Sequence, residues 1–302
     1  MYEKKPWLKF YGDVPASLNY PRMTMYEALI RSVEQTADTI AYDYLDYQST
    51  CATFSRDIDR CAKALAAHGL KSGMMMTIAW PTIPQGIIRR KKPTAISGVP
   101  TLYDALSRSP ILEDADLSCL LSASVGADTL PSTVKERFED VVRRCGGSVQ
   151  LVEGYGLAEA VTGIMLTPAA SYREGSVGIP CPDMEANIVA PCTQDTVPVG
   201  DERELCLSGP AVMLGYLEAP EETAQTLQRH ADGKIWLHAG DIFSMSEEGF
   251  FYFKLRLKRI INSSGMNVYP AQVEAVLYRH PAVHNACVIG VPDEARAIAE
   301  AA

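Results

Sequence analysis

A ten-residue stretch, LVEGYGLAEA at residues 151–160, combines residue types that can hold a ligand. Gly154 and Gly156 allow the backbone to approach a ligand closely, and Tyr155 between them offers a flat aromatic face for stacking on a base. Glu159 follows as an oxygen ligand for Mg²⁺ or as a solvated carboxylate at a helix start. Taken alone, the pattern also suits a strained turn in which Tyr155 is a packing residue.

Two further groups of polar residues lie later in the chain. Asp241 follows a glycine in HAGDIF, where a carboxylate can accept hydrogen bonds from a sugar diol or simply stabilise a turn. Arg256, Lys258 and Arg259 alternate with apolar residues in LRLKRII, a pattern that is also typical of a solvated strand face. The segment SSGMN, which contains Gly265, has the composition of a tight turn.

The elements that must position the LVEGYGLAEA stretch follow from hydrophobic periodicity. SCLLSASVGAD predicts a strand ending at Gly126, LPSTVKERFEDVVRRCGG an amphipathic helix, and SVQLVEGYG a second strand. A strand, a helix and a strand at this spacing predict a parallel βαβ unit, and such sheets bind ligands at the carboxyl ends of their strands. Residues 154–159 therefore fall where an open α/β sheet usually binds its ligand.

Helices and strands are predicted on both sides of this unit. Thr24 and Glu27 form a capping box that opens one helix, and SRDIDRCAKALAAHG predicts a second helix that Gly69 ends. After about residue 175, short strand-like segments bounded by Gly, Pro, Asp and Asn indicate a β-rich subdomain. YPAQVEAVLYRHP then predicts a helix, and VHNACVIGVPD a final strand.

Composition excludes several classes of protein. The chain has 302 residues, 47% of them hydrophobic, which is enough for one large or two ordinary domains. Its net charge of −9 argues against a nucleic-acid polymer or an anionic membrane as the main partner. Eight cysteines without a CxxC pair predict neither a zinc site nor a disulfide framework. No segment approaches the roughly 18 apolar residues of a membrane span, so we expect a cytoplasmic protein.

Read in order, a series of motifs resembles the AMP-forming acyl-CoA synthetases, the fatty-acid-CoA ligase-like members of the adenylate-forming superfamily. The series consists of SVGADTLP, EGYGLAE, GSVGIPCP, ELCLSGPAVMLGYLEAPEET, LHAGDIFSMSEEGFFYF, RLKRIINSSGMNVYPAQVEAVLYRHPAV and ACVIGVPDE. The resemblance implies an α/β fold: a large AMP-binding domain over residues 1–255, with a parallel sheet and a β-rich subdomain, and a small α+β domain over residues 256–302. It also implies that a carboxylic acid, fatty or otherwise apolar, reacts with ATP to an acyl-adenylate and pyrophosphate before CoA takes the acyl group.

The resemblance also implies roles in nucleotide binding for single positions. Gly126 and Ala127 are similar to residues lining the acyl and adenine pockets. Tyr155, between its flanking glycines, resembles the residue whose ring stacks on adenine. Asp241 resembles the acid that accepts hydrogen bonds from the ribose hydroxyls, and Arg256 a residue that supports the nucleotide.

Three more positions match family features that act in catalysis. Glu159 resembles the Mg²⁺ carboxylate. Lys258 falls where the family hinges its small domain between the two half-reactions. Gly265 resembles the loop along the CoA pantetheine tunnel. The resemblance thus implies ATP, CoA and Mg²⁺ as ligands, and leaves the oligomeric state open.

The sequence also departs from the family pattern. A Ser/Thr/Gly-rich phosphate loop is missing, because the text passes from WPTIPQGII directly to RRKKPTAISG, which predicts an internal deletion near residues 88–89. No lysine follows Lys258, although the family uses a late lysine for adenylation, which predicts a truncated small domain. We therefore expect an acyl-CoA ligase with impaired activity. The alternative is a non-catalytic remnant that binds a nucleotide or a protein partner.

Overall fold

Two five-stranded β-sheets carry the residues that the sequence places at a ligand site. They belong to a computed structural model that describes residues 4–44, 47–67, 69, 71, 94–112, 115–128, 130–161, 163–168, 170–190, 193–257, 261–263, 266–268, 270–277, 280, 283 and 286–291. The proposed junction near residues 88–89 lies outside these ranges, as do Lys258 and Gly265. Within the described residues, no helix is both long enough and apolar enough to cross a bilayer.

The N-terminal region contains two helices and a two-stranded antiparallel sheet. Its elements are α1 (Met25–Thr36), β1 (Ile40–Tyr44), β2 (Tyr47–Thr50) and α2 (Cys51–Ala67). Thr24 caps α1 as the sequence predicts: its Oγ1 accepts the Glu27 N–H at 3.2 Å, and Glu27 Oε2 accepts the Thr24 N–H at 2.6 Å. Two backbone donors that the helix itself cannot satisfy are thus paired reciprocally.

Loss of this cap has a predictable cost. We expect Thr24→Ala to lower the free energy of unfolding by about 1 kcal/mol, because the Glu27 N–H loses its acceptor. Denaturant unfolding followed by circular dichroism measures the change. Ser32→Ala is the control, since Ser32 lies in the same helix and its hydroxyl donates to the Ala28 carbonyl at 3.0 Å rather than to the cap. Equal stabilities of Thr24→Ala and the unaltered protein would contradict a contribution from the capping box.

The first large sheet contains the predicted βαβ unit. Its strands and the helices between them are β3 (Ala95–Gly98), α3 (Pro100–Ser107), β4 (Ser122–Val125), α4 (Ser132–Arg144), β5 (Leu151–Gly156), β6 (Gly163–Leu166) and β7 (Ile179–Pro180). The strands follow the order β3-β4-β5-β6-β7; β3, β4 and β5 are parallel, whereas β6 and β7 are antiparallel additions. The predicted parallel pairing of β4 with β5 is confirmed.

A hydrophobic core fixes α3 and α4 to this sheet. The apolar stripe predicted for α4 is buried, namely Val134, Phe138, Val141, Val142 and Cys145. Phe138 meets Tyr103 of α3 edge to face at 4.8 Å, and the Tyr103 hydroxyl donates to the Ser124 carbonyl of β4 at 2.7 Å. Each large side chain buried in this way stabilises the fold by about 1.5–3 kcal/mol. The carboxyl ends of β4 and β5 are thereby held side by side.

The second large sheet is antiparallel and forms the predicted β-rich subdomain. Its elements are β8 (Glu185–Val189), β9 (Arg203–Ser208), the short helix α5 (Pro220–Thr226), β10 (Leu227–Arg229), β11 (Ile235–Met245) and β12 (Phe251–Arg256). The order is β10-β11-β9-β8, and β12 pairs with β11 as well. The strand β11 thus lies at the centre of the sheet.

Backbone hydrogen bonds join the two large sheets. The Phe251 N–H donates to the Gly178 carbonyl at 2.9 Å, and the Val177 N–H donates to the Phe251 carbonyl at 3.0 Å. The Ser176 hydroxyl adds a bond to the same Phe251 carbonyl at 2.8 Å. A second hydrophobic core, to which Trp7, Met165 and Phe243 contribute, extends from the first sheet to the second. Side chains of β5 and β11 can therefore meet.

The last described elements are a hairpin and a helix: β13 (Ile261–Ser263), β14 (Met266–Val268) and α6 (Pro270–Leu277). The helix agrees with its prediction. The strand predicted in VHNACVIGVPD is wrong for the described residues, because 286–291 have no regular structure. The Val288 N–H donates to Glu274 Oε1 of α6 at 2.9 Å, so a side chain takes the place of a neighbouring strand.

Candidate functional site

Three side chains that the sequence singles out separately are in contact with one another. Two of them, Tyr155 and Arg256, bond to the carboxylate of the third, Asp241. The Tyr155 hydroxyl donates to Asp241 Oδ2 at 2.7 Å, although the two residues are 86 positions apart. Arg256 donates from Nε to Oδ1 at 2.8 Å and from Nη2 to Oδ2 at 3.3 Å. The contact therefore joins β5 of the first sheet to β11 and β12 of the second.

The local fold explains how Asp241 reaches this position. Asp241 and Arg256 are directly opposite in the antiparallel pairing of β11 with β12, which brings their side chains together. On its other side, β11 shifts register against β9 between His238 and Ile242, a bulge that includes Gly240 at φ 68°. Bulges of this kind bend a strand and change the direction of a side chain, and they are common next to functional sites.

The bulge is stabilised by a buried acid. Gly240 has no partner residue in the register of β11 with β9 or with β12, and its N–H donates to Glu204 Oε1 at 3.1 Å. Glu204 lies on β9 and is 7% exposed. Because a buried N–H without a partner is costly, this carboxylate supports the backbone conformation that precedes Asp241.

The three contacting side chains differ in exposure and charge. The Asp241 side chain is 1% exposed, whereas that of Arg256 is 53% exposed and closes over it from the solvent side. Burial, with a smaller contribution from Asp241, raises the pKa of the Tyr155 hydroxyl, so that it remains a neutral donor at physiological pH. The hydrogen bonds and the charge of Asp241 raise the pKa of Arg256. A carboxylate here is thus balanced by one cation and one neutral donor.

Glu159 lies near this group and influences it through its charge. It belongs to a short 3₁₀ turn, Ala158–Ala160, immediately after β5. Its Oε1 accepts the Tyr216 hydroxyl at 2.6 Å, and its backbone carbonyl accepts the Met213 N–H at 2.7 Å. Among smaller causes, its negative charge raises the pKa of both Tyr155 and Arg256. Sequence patterns assign no role to Tyr216, although it lies in the motif ELCLSGPAVMLGYLEAPEET.

The predicted glycines lie at the carboxyl ends of β4 and β5, and Gly154 and Gly156 directly flank Tyr155. A Cβ at Gly126 would be 3.3 Å from the Gly154 carbonyl, and a Cβ at Gly154 would be 3.0 Å from the Met165 carbonyl. Close strand packing therefore accounts for both glycines. Gly156 pairs with Gly163 of β6, and Ala127 is exposed at φ 70°, a left-handed conformation uncommon for a residue with a Cβ.

Comparisons with known protein families identify the relatives of this chain. The family model described as AMP-binding enzyme matches residues 81–217. A second model, described as AMP-binding enzyme C-terminal domain, matches residues 272–300. The first match includes Tyr155 and Glu159, whereas Asp241 and Arg256 lie between the two.

Individual relatives are similar over most of the chain. It is 43% identical over 214 residues to a long-chain-fatty-acid–CoA ligase of Bacillus subtilis. This alignment covers 70% of the chain and 36% of the relative. It is 37% identical over 208 residues to a feruloyl-CoA synthase of an Amycolatopsis species, covering 68% of the chain and 40% of the relative.

Solved structures show the same fold. ATP-bound MatB from Rhodopseudomonas palustris aligns with a TM-score of 0.61 at 27% identity, over 71% of this chain and 40% of MatB. The anthranilate CoA ligase AuaEII in complex with anthranoyl-AMP aligns with a TM-score of 0.59 at 28% identity, over 70% and 39% of the two chains. The chain therefore spans about two fifths of the length of these relatives. By its motifs, its fold and its relatives, the chain belongs to the AMP-forming acyl-CoA synthetases of the adenylate-forming superfamily.

Proposed function

We propose that Tyr155, Asp241 and Arg256 bind the adenosine part of a nucleotide in an ATP-dependent acyl-CoA ligase. The reaction is the activation of a carboxylic acid by ATP to an acyl-adenylate with release of pyrophosphate, followed by transfer of the acyl group to the CoA thiol. The observation that carries the proposal is the contact of the Tyr155 hydroxyl and the Arg256 guanidinium with one buried carboxylate, that of Asp241. An adenosine offers these groups a base for stacking and a diol for hydrogen bonding.

The hydrogen-bond count at Asp241 indicates how the ribose would bind. A carboxylate has about four acceptor positions, and the bonds from Tyr155 and Arg256 already use three of them. A diol donates two bonds, so at least one present donor must move. Arg256 is the donor with room to do so, because it is half exposed. Once it is released from Asp241, the Arg256 guanidinium can contact the negatively charged phosphate of the nucleotide.

Glu159 is the residue suited to Mg²⁺ in this proposal. It is partly exposed on a turn after β5, and carboxylate oxygen is the ligand type that Mg²⁺ prefers. A bound Mg²⁺ would neutralise phosphate charge during adenylation. Tyr216 would hold the Glu159 carboxylate in place through the bond to Oε1. Gly126, Ala127, Gly154 and Gly156 would border the pocket.

We extend the proposal to the two domains, the hinge between them and the type of acid. The large domain would extend over residues 1–255 and the small domain over 256–302, with Lys258 at the hinge and Gly265 beside CoA. The acid would be fatty or otherwise apolar, in keeping with the long-chain-fatty-acid–CoA ligase among the relatives. We further propose that activity is impaired, because the sequence lacks a Ser/Thr/Gly-rich segment for the phosphates before RRKKP.

Two measurements on the same preparation test the proposal. Calorimetry with AMP reports nucleotide binding, and pyrophosphate release reports adenylation in the presence of ATP, Mg²⁺ and a panel of fatty and aryl acids. The expected result is saturable AMP binding with slow, acid-dependent pyrophosphate release. Binding without any release would support the non-catalytic remnant instead. Absence of AMP binding in the folded protein would overturn the nucleotide site.

A further inference from the structure

A cluster of three metal-ligating side chains lies in the second sheet, apart from the candidate nucleotide site. The cluster consists of Cys206 on β9, His230 directly after β10 and His238 on β11. Their Sγ and ring nitrogen atoms all lie within 4.8 Å of one another. The two Nε2 atoms of the histidines face each other at 3.0 Å. One sulfur and two nitrogens thus form a group of potential ligands for one ion.

These side chains are held by rigid elements in the interior. Cys206 is fully buried, and His230 and His238 are 8% and 9% exposed. His238 and Cys206 are directly opposite in the pairing of β11 with β9. The His230 ring stacks on Trp236 with 5.5 Å between ring centroids and 22° between planes. Because strand register and stacking fix the rings, little conformational entropy remains to be lost on metal binding.

A carboxylate behind His238 supplies the second observation. Glu204 Oε2 lies 3.2 Å from His238 Nδ1, which places the Nδ1 proton on the carboxylate side. The lone pair of His238 is then on Nε2, the atom that faces Nε2 of His230. A carboxylate that orients a histidine in this way is the usual support of a histidine bound to zinc.

The separation of the two histidine nitrogens is close to that in a tetrahedral zinc site. Two imidazole nitrogens on one Zn²⁺ at about 2.0–2.1 Å are about 3.3 Å apart at the tetrahedral angle. The observed Nε2 separation of 3.0 Å needs only a few tenths of an ångström of opening. Without an ion, this short contact holds one proton between two buried nitrogens, whereas Zn²⁺ would take a lone pair from each.

We propose that Cys206, His230 and His238 bind a Zn²⁺ ion, with Glu204 as the residue that orients His238. Cys206 would bind as a thiolate after its proton passes to solvent, and water would complete four-coordination. The ion would connect β9, β10 and β11. Because Glu204 also accepts the Gly240 N–H, the ion would brace the strand segment that leads to Asp241.

Cobalt substitution provides the direct test, under reducing conditions and with the whole chain. The expected result is one Co²⁺ per chain, with a near-ultraviolet thiolate-to-cobalt absorption band and the visible bands of a tetrahedral ion. Zn²⁺ should displace the cobalt and raise the melting temperature. Cys206→Ser should remove the thiolate band, and His230→Gln should weaken Co²⁺ binding at least tenfold. Glu204→Gln should weaken it by about tenfold or more.

Cys61→Ser is the matched control, because Cys61 is an exposed cysteine on α2, and it should leave every cobalt signal unchanged. Circular dichroism identifies a variant that fails to fold, and His230→Gln is then the alternative to Cys206→Ser. Absence of saturable Co²⁺ binding by the unaltered protein would overturn the proposal. So would a thiolate band that persists in Cys206→Ser.

Discussion

Replacing Asp241 with asparagine is expected to weaken AMP binding by about 10- to 100-fold, because hydrogen bonds to a charged group contribute about 1.5–3 kcal/mol. Asparagine keeps the volume of the side chain and one carbonyl acceptor for the Tyr155 hydroxyl. It removes the charge that balances Arg256 and turns one acceptor into a donor that faces the Arg256 Nε. The same change leaves a ribose diol with too few acceptors. Calorimetric titration with AMP measures the effect.

The matched control for this prediction is Asp201→Asn. Asp201 is an exposed aspartate in the turn before β9, and its replacement should leave AMP binding unchanged. Arg256→Lys offers a second variant if Asp241→Asn is unstable, since lysine retains the charge without the two-pronged contact. An AMP affinity of Asp241→Asn equal to that of the unaltered protein would remove Asp241 from the nucleotide site.

Local sequence patterns predict much of the fold that carries this site. The α4 stripe recurs at helical spacing and is buried as expected, and the Thr24 capping box forms as predicted. The parallel βαβ unit follows from a strand, a helix and a strand in succession. In each case the signal lies within a few residues or one helix, so that local periodicity and chain connectivity are sufficient.

The convergence of the site residues depends instead on contacts distant in sequence. Tyr155 and Asp241 are 86 residues apart on strands of different sheets, and no periodicity relates them. In the sequence, only the family resemblance places Tyr155, Asp241 and Arg256 at the same site. The bulge around Gly240 depends on Glu204 of another strand, and the metal cluster joins three strands without a recognisable ligand spacing. Counting cysteine pairs therefore gave no indication of a zinc site.

The strand predicted at VHNACVIGVPD is a case in which a local apolar pattern gives a wrong prediction. Its apolar run has strand composition, but a strand requires a neighbour for its backbone groups. In the structure the Val288 N–H donates to the Glu274 carboxylate of α6. Val288 is therefore buried without pairing to a neighbouring strand. Tertiary contacts thus decide between strand and irregular chain where the local preference is the same.

Gly178→Ala is expected to have the largest effect on stability, a loss of about 3 kcal/mol or more in the free energy of unfolding. Gly178 has φ 95°, and a Cβ there would lie 2.1 Å from the Leu166 carbonyl carbon and 2.2 Å from its oxygen. These atoms are backbone and cannot move aside as a side chain tip does. The chain must therefore shift where the Gly178 carbonyl accepts the Phe251 N–H, which is one of the bonds that join the two sheets.

This substitution should also weaken binding at the proposed nucleotide site, although Gly178 is not one of the residues of that site. Tyr155 lies on the first sheet and Asp241 on the second, so a displacement at the Gly178 contact lengthens the hydrogen bond between them and weakens AMP binding. Gly175→Ala is the control from the same segment: its φ is 70°, and a Cβ there would have no atom within 4 Å. It should cost only about 1 kcal/mol and leave AMP binding intact. Denaturant unfolding and AMP calorimetry on both variants separate the outcomes, and equal behaviour would refute the coupling of the two sheets through Gly178.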